Sequence, residues 1–363
     1  MKNILFYITG HGFGHAIPMI EVMNKLKYLY PEVNFYINTT VPQWLFKQCL
    51  SAEFEYIYCY NDVGVIQKDY FSVNKIETIK KYAGLIKQKK NFLHQQINFT
   101  KKNNIKVIVG NIPPVAFDIS NKTSIPGIAI GNFSWDWIYE PYIKECPEYQ
   151  YVLDEIRESY SKCNLLLRVP FHGDMSIFPV IEDIPLIARK SNANREEIIS
   201  TIKLNNPKNK KIILISLGGL DFELNFVKKI KMLRNYFFIY PGKNNVQLSK
   251  NILTLSKNRG ILHHDLIKIS DLVITKPGYG IVSESIANQK PVMYTSRDDF
   301  REYDALVSGI KKHGHSYFIP RKDFITGNWE NYINKFFTTK HKWHNMKING
   351  AEIASRKILS YLS

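Results

Sequence analysis

Residues 2–15 read KNILFYITGHGFGH: an apolar run, then three glycines interleaved with His11 and Phe13, then His15, with an amphipathic stretch over 16–30 behind them. A buried strand that runs into a glycine turn and leaves along a helix is the opening unit of an open parallel sheet. Glycines at the strand's carboxyl end let the backbone approach a ligand, and the helix start offers free N–H groups. The same grammar continues downstream. Short apolar runs at 33–38 and 54–58 flank an amphipathic segment at 42–50, a long helical pattern fills 74–103, and further apolar runs follow at 105–109, 125–130 and 165–169. Apolar runs that alternate with amphipathic ones are the signature of a parallel sheet with crossover helices.

The pattern weakens between 170 and 210, where prolines and the polar run 205–211 read as a connection, and then it restarts. Residues 212–217 run into Gly218 and Gly219; 236–240 follows; 272–275 ends in Lys276, Pro277, Gly278, Tyr279 and Gly280; 291–295 comes next. A chain of 363 residues exceeds what one core of about 250–300 residues supports. The expected fold is therefore α/β, with two doubly wound, Rossmann-like domains whose parallel sheets face a cleft. The expected bounds are 1–170 and 171–345, with a helical pattern over 342–362 supplying a closing helix at 346–363 that packs back across the junction.

Composition excludes a disordered or fibrous chain, at 45% hydrophobic and 22% charged. Lys and Arg number 49 against 32 Asp and Glu, a net +17 that admits nucleic acid, anionic lipid or phosphorylated substrates as partners. No RNA-binding motif accompanies the charge, so nucleic acid is not the expected partner. Cys49, Cys59, Cys146 and Cys163 are scattered without CxxC or Cys/His ligand spacing, which reads as reduced thiols in a cytoplasmic protein with no metal site. The amino-terminal apolar run is too short to span a bilayer and lacks a cleavage site, and no other stretch approaches 18 apolar residues. A soluble protein is expected, able to dock on a membrane face.

Candidate site residues gather at the carboxyl ends of the strands. His15, at a helix start beside a glycine turn, suits a general base or a phosphate or hydroxyl contact, and His11 has the same options; a histidine there can also simply cap or pack. His15 stands where the dinucleotide fingerprint wants glycine, which disfavours a Rossmann cofactor. Backbone N–H groups around Gly278 and Gly280 can hold a phosphate, and Glu284, one turn into the helix, can accept both hydroxyls of a ribose. Ser216, Leu217, Gly218 and Gly219 open toward the same crevice. The stretch from Arg297 to Glu302 follows the strand at 291–295 and can grip sugar hydroxyls or phosphate. The stretch from Asn132 to Trp137 follows the strand at 125–130, and its rings beside Asp136 suit a sugar as well as a core. The chain has no GxxxxGK[ST] loop, GxSxG elbow, HExxH or DxD triplet, which argues against P-loop ATPases, α/β hydrolases, zinc proteases and metal-dependent nucleotide-sugar enzymes of the DxD kind.

Four segments in order, ITGHGFGHA (8–16), GNFSWDWIYE (131–140), ITKPGYGIVSES (274–285) and RDDFREYDAL (297–306), resemble the amino-terminal glycosyltransferase-like region of L-arabinokinases, over nearly the whole chain. The sequence stops near where that family's kinase module would begin, so sugar phosphorylation is not expected to carry over. More distantly the chain is similar to inverting transferases of the GT-B fold, including the N-acetylglucosaminyl transferases that complete the lipid-linked peptidoglycan precursor. Their Gly-rich loop ending in His-x-x-Pro matches Gly14, His15 and Pro18, and their nucleotide-binding glycines and Glu match Gly278, Gly280 and Glu284. Their diphosphate-binding Arg has its nearest counterpart in Arg189. Where that family has a Gln pair on the donor sugar, this chain has Phe300, Arg301 and Glu302, and where arabinokinase-like loops continue His-Ala-Thr-Arg, it has Ile17 and Pro18.

The resemblance implies a metal-independent, inverting hexosyl or N-acetylhexosaminyl transferase that uses a nucleotide diphosphate sugar, UDP-linked. In that scheme the first domain holds the acceptor and the second the donor. His15 is the base, with His11, Trp135 and Asp136 on the acceptor side. Gly218, Gly219, Gly278, Gly280, Glu284 and Arg189 hold the nucleotide, and Arg301 and Glu302 the sugar. A lipid-linked or envelope-glycan acceptor at the inner face of a membrane suits the basic charge. The alternatives from other classes are a sugar-nucleotide binding or regulatory protein without transfer, and a UDP-sugar epimerase or hydrolase on the same scaffold.

Overall fold

A computed structural model describes residues 2–69, 71–204, 210–217, 226–242, 244–256, 260–339 and 343–362. Gly218 and Gly219 lie outside the described residues. The chain divides into two compact units, one made of 1–188, 298–305 and 347–363 and the other of 189–297 and 306–346.

The first unit runs β1 (Lys2–Ile8), α1 (Phe13–Leu29), β2 (Val33–Thr39), α2 (Gln43–Cys49), β3 (Phe54–Tyr58), α3 (Lys75–Lys102), β4 (Ile105–Asn111), α4 (Val115–Thr123), β5 (Gly127–Gly131), α5 (Trp135–Ile143), α6 (Gln150–Tyr160), β6 (Leu165–Arg168) and β7 (Ile181–Asp183). Its seven strands are all parallel, in the order β3-β2-β1-β4-β5-β6-β7. Ile4 to Ile8 are fully buried because helices cover both faces of a parallel sheet, which is why β1 reads as a continuous apolar run rather than an alternating one.

The second unit contains α7 (Arg195–Thr201), β8 (Lys211–Ser216), α8 (Val227–Ile230), β9 (Tyr236–Pro241), β10 (Val246–Ser249), β11 (Ile252–Leu255), α9 (His263–Ile269), β12 (Leu272–Thr275), α10 (Tyr279–Ala287) and β13 (Val292–Tyr294). It is completed by the later part of α11 (Glu302–His313), then β14 (Ser316–Phe318), α12 (Arg321–Thr326) and α13 (Glu330–Thr338). Its sheet order is β10-β11-β9-β8-β12-β13-β14, parallel except for β10, which runs antiparallel to β11.

In each sheet the winding reverses next to the unit's first strand, between β1 and β4 and between β8 and β12. Those two points are where an open α/β sheet leaves a crevice for a ligand.

Three boundaries differ from the sequence reading. The first unit continues past residue 170 to Ala188. The strand that carries it there, β7, pairs with β6 and is fixed by a fork of Arg168 Nε and Nη2 on the two Asp183 oxygens at 2.7 and 3.0 Å. A three-residue strand held by an ion pair leaves no hydrophobic period to read. Residues 298–305 also belong to the first unit, where Phe300 joins the core around Trp135 and Tyr142. The closing helix, α14 (Gly350–Ser360), starts later than 342: residues 343–348 are not helical, and Leu186 N–H donates to the Lys347 carbonyl at 3.1 Å. The helix lies on α1, with Ser355 Oγ donating to the Val22 carbonyl.

All four cysteines are free, and no helix among the described residues is long and apolar enough to cross a membrane.

Candidate active site

In the first unit the turn after β1 is shaped by two glycines. Gly12 has φ 82°, a left-handed conformation that favours glycine, and a Cβ at Gly10 would collide with the Thr40 side chain. The turn delivers His15, third residue of α1, to the end of β4, where its Nδ1 lies 2.8 Å from Asn111 Oδ1. Asn111 Nδ2 donates to the Ile130 carbonyl at 2.6 Å, so the amide can only turn its oxygen to the imidazole. His15 Nδ1 must then carry the hydrogen, which leaves Nε2 as an unprotonated base. Burial lowers the imidazole from its ordinary 6.5 to about 4, against the upward pull of the Asn111 bond, so it is neutral near pH 7.

Asp62, a residue the sequence reading did not single out, is buried against Thr9 and Trp135. Its two oxygens accept from Thr9 Oγ1 at 2.8 Å and Trp135 Nε1 at 2.9 Å. Burial pushes this carboxyl up to about 6, although the bonds from Thr9, Trp135 and the Gly10 backbone hold it down. His11 accepts from Val65 N–H, and its ring lies 6.5 Å from His15, 5.9 Å from Trp135 and 6.1 Å from Phe300.

Trp135 itself is fully buried and stacked on Tyr139, with its indole N–H spent on Asp62. It therefore lies beside the two histidine rings as part of the core, one of the two roles its sequence context suited. Asp136 points elsewhere, to Arg157 Nε at 3.6 Å, and burial raises its carboxyl. Arg301 and Glu302 are also engaged within this unit. Arg301 Nη1 donates to Glu140 Oε2 at 2.8 Å and to the Trp137 carbonyl, its guanidinium lies over the Trp137 ring, and Glu302 Oε1 accepts from Asn132 at 2.9 Å. A recess of about 410 Å³, open to solvent, lies where Tyr60 and Asn61 follow β3 and Pro114 and Val115 open α4, with Tyr82 and Lys89 on its walls.

In the second unit Arg189 and Glu284, which the sequence reading set on the diphosphate and on the ribose, pair with each other. Arg189 Nε and Nη2 each lie 2.6 Å from Glu284 Oε1, and both side chains are buried. The backbone around Arg189 is fastened to the end of α10: Asn288 Nδ2 donates to the Arg189 carbonyl at 3.0 Å, and Ser191 N–H donates to Asn288 Oδ1 at 2.9 Å. Glu284 Oε2 accepts from His263 Nδ1 at 3.1 Å, and His263 Nε2 lies 3.0 Å from Ser216 Oγ at the end of β8. Burial alone would raise the Glu284 carboxyl, but Arg189, then His263 and His264, hold it down at about 2.

Hydroxyl, imidazole and carboxylate here follow the order that activates a serine in hydrolases. Ser216, however, is only 6% exposed, whereas the His263 side chain is 31% exposed, so an incoming ligand meets the imidazole first. Nearby, α10 begins at Gly278 with no side-chain cap and no acid in its first turn, and a Cβ added at Gly278 would meet open space. The backbone N–H groups of Tyr279 and Gly280 therefore form a positive helix end. Ser216 and Thr275 lie side by side at the carboxyl ends of β8 and β12, and the Thr295 hydroxyl just beyond β13 is buried with no partner among the described residues.

The sequence reading named His15, Arg189 and Glu284 as candidates and did not name Asp62, Asn111 or His263, which the structure places against them or their neighbours. None of the three adjoins the glycine loops that drew attention, and each acts through a hydrogen bond across strands or helices. The one available signal was position: Asn111 closes the apolar run at 105–109.

No protein-family model matches the chain. It is 26% identical over 360 residues to an L-arabinokinase of Arabidopsis thaliana, a match that covers 98% of this chain but spans only 34% of that relative's length. Among solved structures, it superimposes on the glycotransferase of kitacinnamycin with a TM-score of 0.63 at 13% identity, covering 99% of this chain and 95% of that one. It matches Phytolacca americana UGT2, solved with UDP-2fluoro-glucose and pterostilbene, with a TM-score of 0.60 at 10% identity, covering 100% and 94%. For the calicheamicin glycosyltransferase CalG4 the values are 0.61, 11%, 100% and 95%. The strand orders and these superpositions agree on one architecture, the GT-B fold of glycosyltransferases.

Proposed function

We propose that the protein transfers a hexosyl or N-acetylhexosaminyl group from a nucleotide diphosphate sugar, UDP-linked, to an acceptor hydroxyl. The observation that carries this reading is His15: the Asn111 amide fixes its hydrogen on Nδ1 and leaves Nε2 bare at the switch point of the first sheet. His15 Nε2 takes the acceptor's proton, the freed oxygen bonds to the anomeric carbon, and the bond from that carbon to the diphosphate breaks in the same displacement, which inverts the centre. The N–H groups at Tyr279 and Gly280 neutralise the leaving diphosphate, and the Arg189 guanidinium, spent on Glu284, holds that carboxylate in place, so the reading includes no metal. Three of about four acceptor positions on Glu284 are already filled by Arg189 Nε, Arg189 Nη2 and His263 Nδ1, so it offers a ribose one position rather than the two expected from sequence.

The first test is calorimetric titration with UDP, GDP, CDP and ADP in the presence of a chelator, followed by a screen of UDP-sugars for UDP release with and without acceptors. Selective UDP binding is expected; no binding of any nucleotide would overturn the reading. A lipid-linked or envelope-glycan acceptor at a membrane face draws on α3, whose exposed Lys80, Lys81, Lys87, Lys90, Lys101 and Lys102 form no ion pair among the described residues. Co-sedimentation with anionic vesicles that is lost at high salt is the expected result.

A second reading, sugar-nucleotide binding without transfer, is favoured by the weakness of the base. An imidazole near 4 whose partner is an amide, not a carboxylate, gains little from becoming charged. UDP binding with no UDP release from any sugar donor would select it.

A further inference from the structure

We infer that the recess beside α3 is a second ligand site, separate from the one at His15, for an uncharged aromatic compound that carries a hydroxyl group. Its volume of about 410 Å³, open to solvent, falls within the range of small-molecule sites. Leu85, Ile86 and Phe92 of α3 and Val115 of α4 give it apolar walls. Two buried polar side chains on those walls have bonding capacity to spare. Asn61 is 4% exposed and donates from Nδ2 to the Ile8 carbonyl at 3.3 Å and to the Asn38 carbonyl at 2.8 Å. Carbonyls only accept, so the amide cannot turn over, and its Oδ1 has no donor among the described residues. Tyr82 is 6% exposed, and its hydroxyl has no hydrogen-bond partner among the described residues either. Burial, then the carboxylates of Asp62, Asp118 and Glu155, raise that phenol well above its ordinary value, so it keeps its hydrogen.

These two atoms set the chemistry of the ligand. A hydroxyl group can donate to Asn61 Oδ1 and can also accept from the Tyr82 O–H, whereas a carboxylate or phosphate oxygen would be repelled by Asn61 Oδ1. The cation and the acid that line the recess are already spent on each other. Lys89 Nζ donates to Glu155 Oε2 at 2.8 Å and to Ser159 Oγ at 3.1 Å, and lies 2.8 Å from Asp118 Oδ2. A charged ligand therefore finds no counter-charge there, while the Tyr60, Tyr82 and Phe92 rings suit an aromatic one. A row of packed rings stands between the recess and the histidines. Tyr82 meets Tyr139 edge-on at 5.8 Å, Tyr139 stacks on Trp135 at 5.4 Å, and Trp135 lies 5.9 Å from His11. Tyr139 and Trp135 are fully buried, so a molecule held by Asn61 and Tyr82 does not present its hydroxyl to His15.

The experiment is equilibrium dialysis of the purified protein at neutral pH with three probes: 2-naphthol, naphthalene, which lacks the hydroxyl, and 2-naphthoate, which carries a charge. The expected result is that 2-naphthol binds about two- to tenfold more tightly than naphthalene, the worth of a hydrogen bond, and more tightly than 2-naphthoate. Tyr82→Phe removes a hydroxyl that has no partner among the described residues and keeps the ring, so the fold is retained and the preference for 2-naphthol over naphthalene should shrink. Leu85→Trp fills the recess and should abolish binding of 2-naphthol with the thermal midpoint retained. No binding of 2-naphthol, tighter binding of 2-naphthoate, a preference unchanged in Tyr82→Phe, or binding that survives in Leu85→Trp overturns the proposal. If Leu85→Trp does not fold, the Tyr82→Phe comparison decides by itself.

Discussion

His15 and Asn111 show how one amide sets the chemistry of one ring. If His15 is the base, His15→Ala should lower turnover by about 10²- to 10⁴-fold and leave nucleotide affinity unchanged, read by steady-state kinetics beside calorimetry. Full turnover in the variant would remove the base assignment. Asn111→Asp replaces a neutral acceptor by a charged one at 2.8 Å, which stabilises the imidazolium. The acid limb of the kcat/KM profile should move up from near pH 4 toward neutrality, since the carboxylate raises a ring that burial had lowered. An unmoved limb would mean that another group sets it. Glu284 needs a gentler probe than alanine, because deletion strands the buried Arg189 guanidinium, a loss of about 3–5 kcal/mol of stability. Glu284→Ala should therefore lower the thermal midpoint of the protein as well as its nucleotide affinity, and Glu284→Gln separates the two effects.

At the level of elements, what could be read from the sequence followed what drives each segment to form. Strands β1, β4, β5, β8 and β12 are buried on both faces, so their apolar runs were visible. Helix α3 announces itself by a 28-residue pattern and by Asn74, whose side chain accepts from the Glu77 N–H at its start. Strand β7 rests on the Arg168–Asp183 fork, and the antiparallel edge strand β10 has largely exposed side chains, so neither left a hydrophobic signature. The candidate site divides in the same way. Glycine turns and the helices behind them pointed to His15 and Glu284, whereas Asn111, Asp62 and His263 reach their partners across 96, 73 and 21 residues of sequence, distances at which no local pattern exists. Arg301 and Glu302 were placed by resemblance on the donor sugar, and the structure shows them bonded to Trp137, Glu140 and Asn132. Helix α14 offers a direct test of packing. Ile358 is fully buried, and Ile358→Ala should cost about 2–5 kcal/mol, measured by denaturant unfolding; a loss under about 0.5 kcal/mol would mean that the helix contributes little to the first unit.

On the scale of the whole protein, acid acts on both units through groups of opposite kind. The His15 ring, lowered from 6.5 to about 4, contributes stability that is complete above about pH 6.5 and lost as pH falls toward 4. The Glu284 carboxyl, lowered from 4.5 to about 2, contributes stability that is complete above about pH 4.5 and lost as pH falls toward 2. Between pH 6 and 4 the Asp62 carboxyl, raised from 3.8 to about 6, acts in the opposite sense and offsets much of the His15 loss. His15→Gln should therefore make the unfolding midpoint rise relative to the parent as pH falls from 6.5 to 4, while leaving the decline between 4.5 and 2. A variant whose midpoint tracks the parent's over that range would show that the ring is not protonated there.

The interleaving of the two units also sets an order of assembly during synthesis. The first unit draws its early strands from residues made first, Phe300 from a segment made much later, and α14 from residues 350–360. A nascent chain with only its first half outside the ribosome has β1 to β7 but neither the aromatic ring that completes the core around Trp135 nor the helix that covers α1. The side of α1 that α14 covers therefore stays bare until translation has passed residue 360, which makes it the stretch on which a chaperone would act.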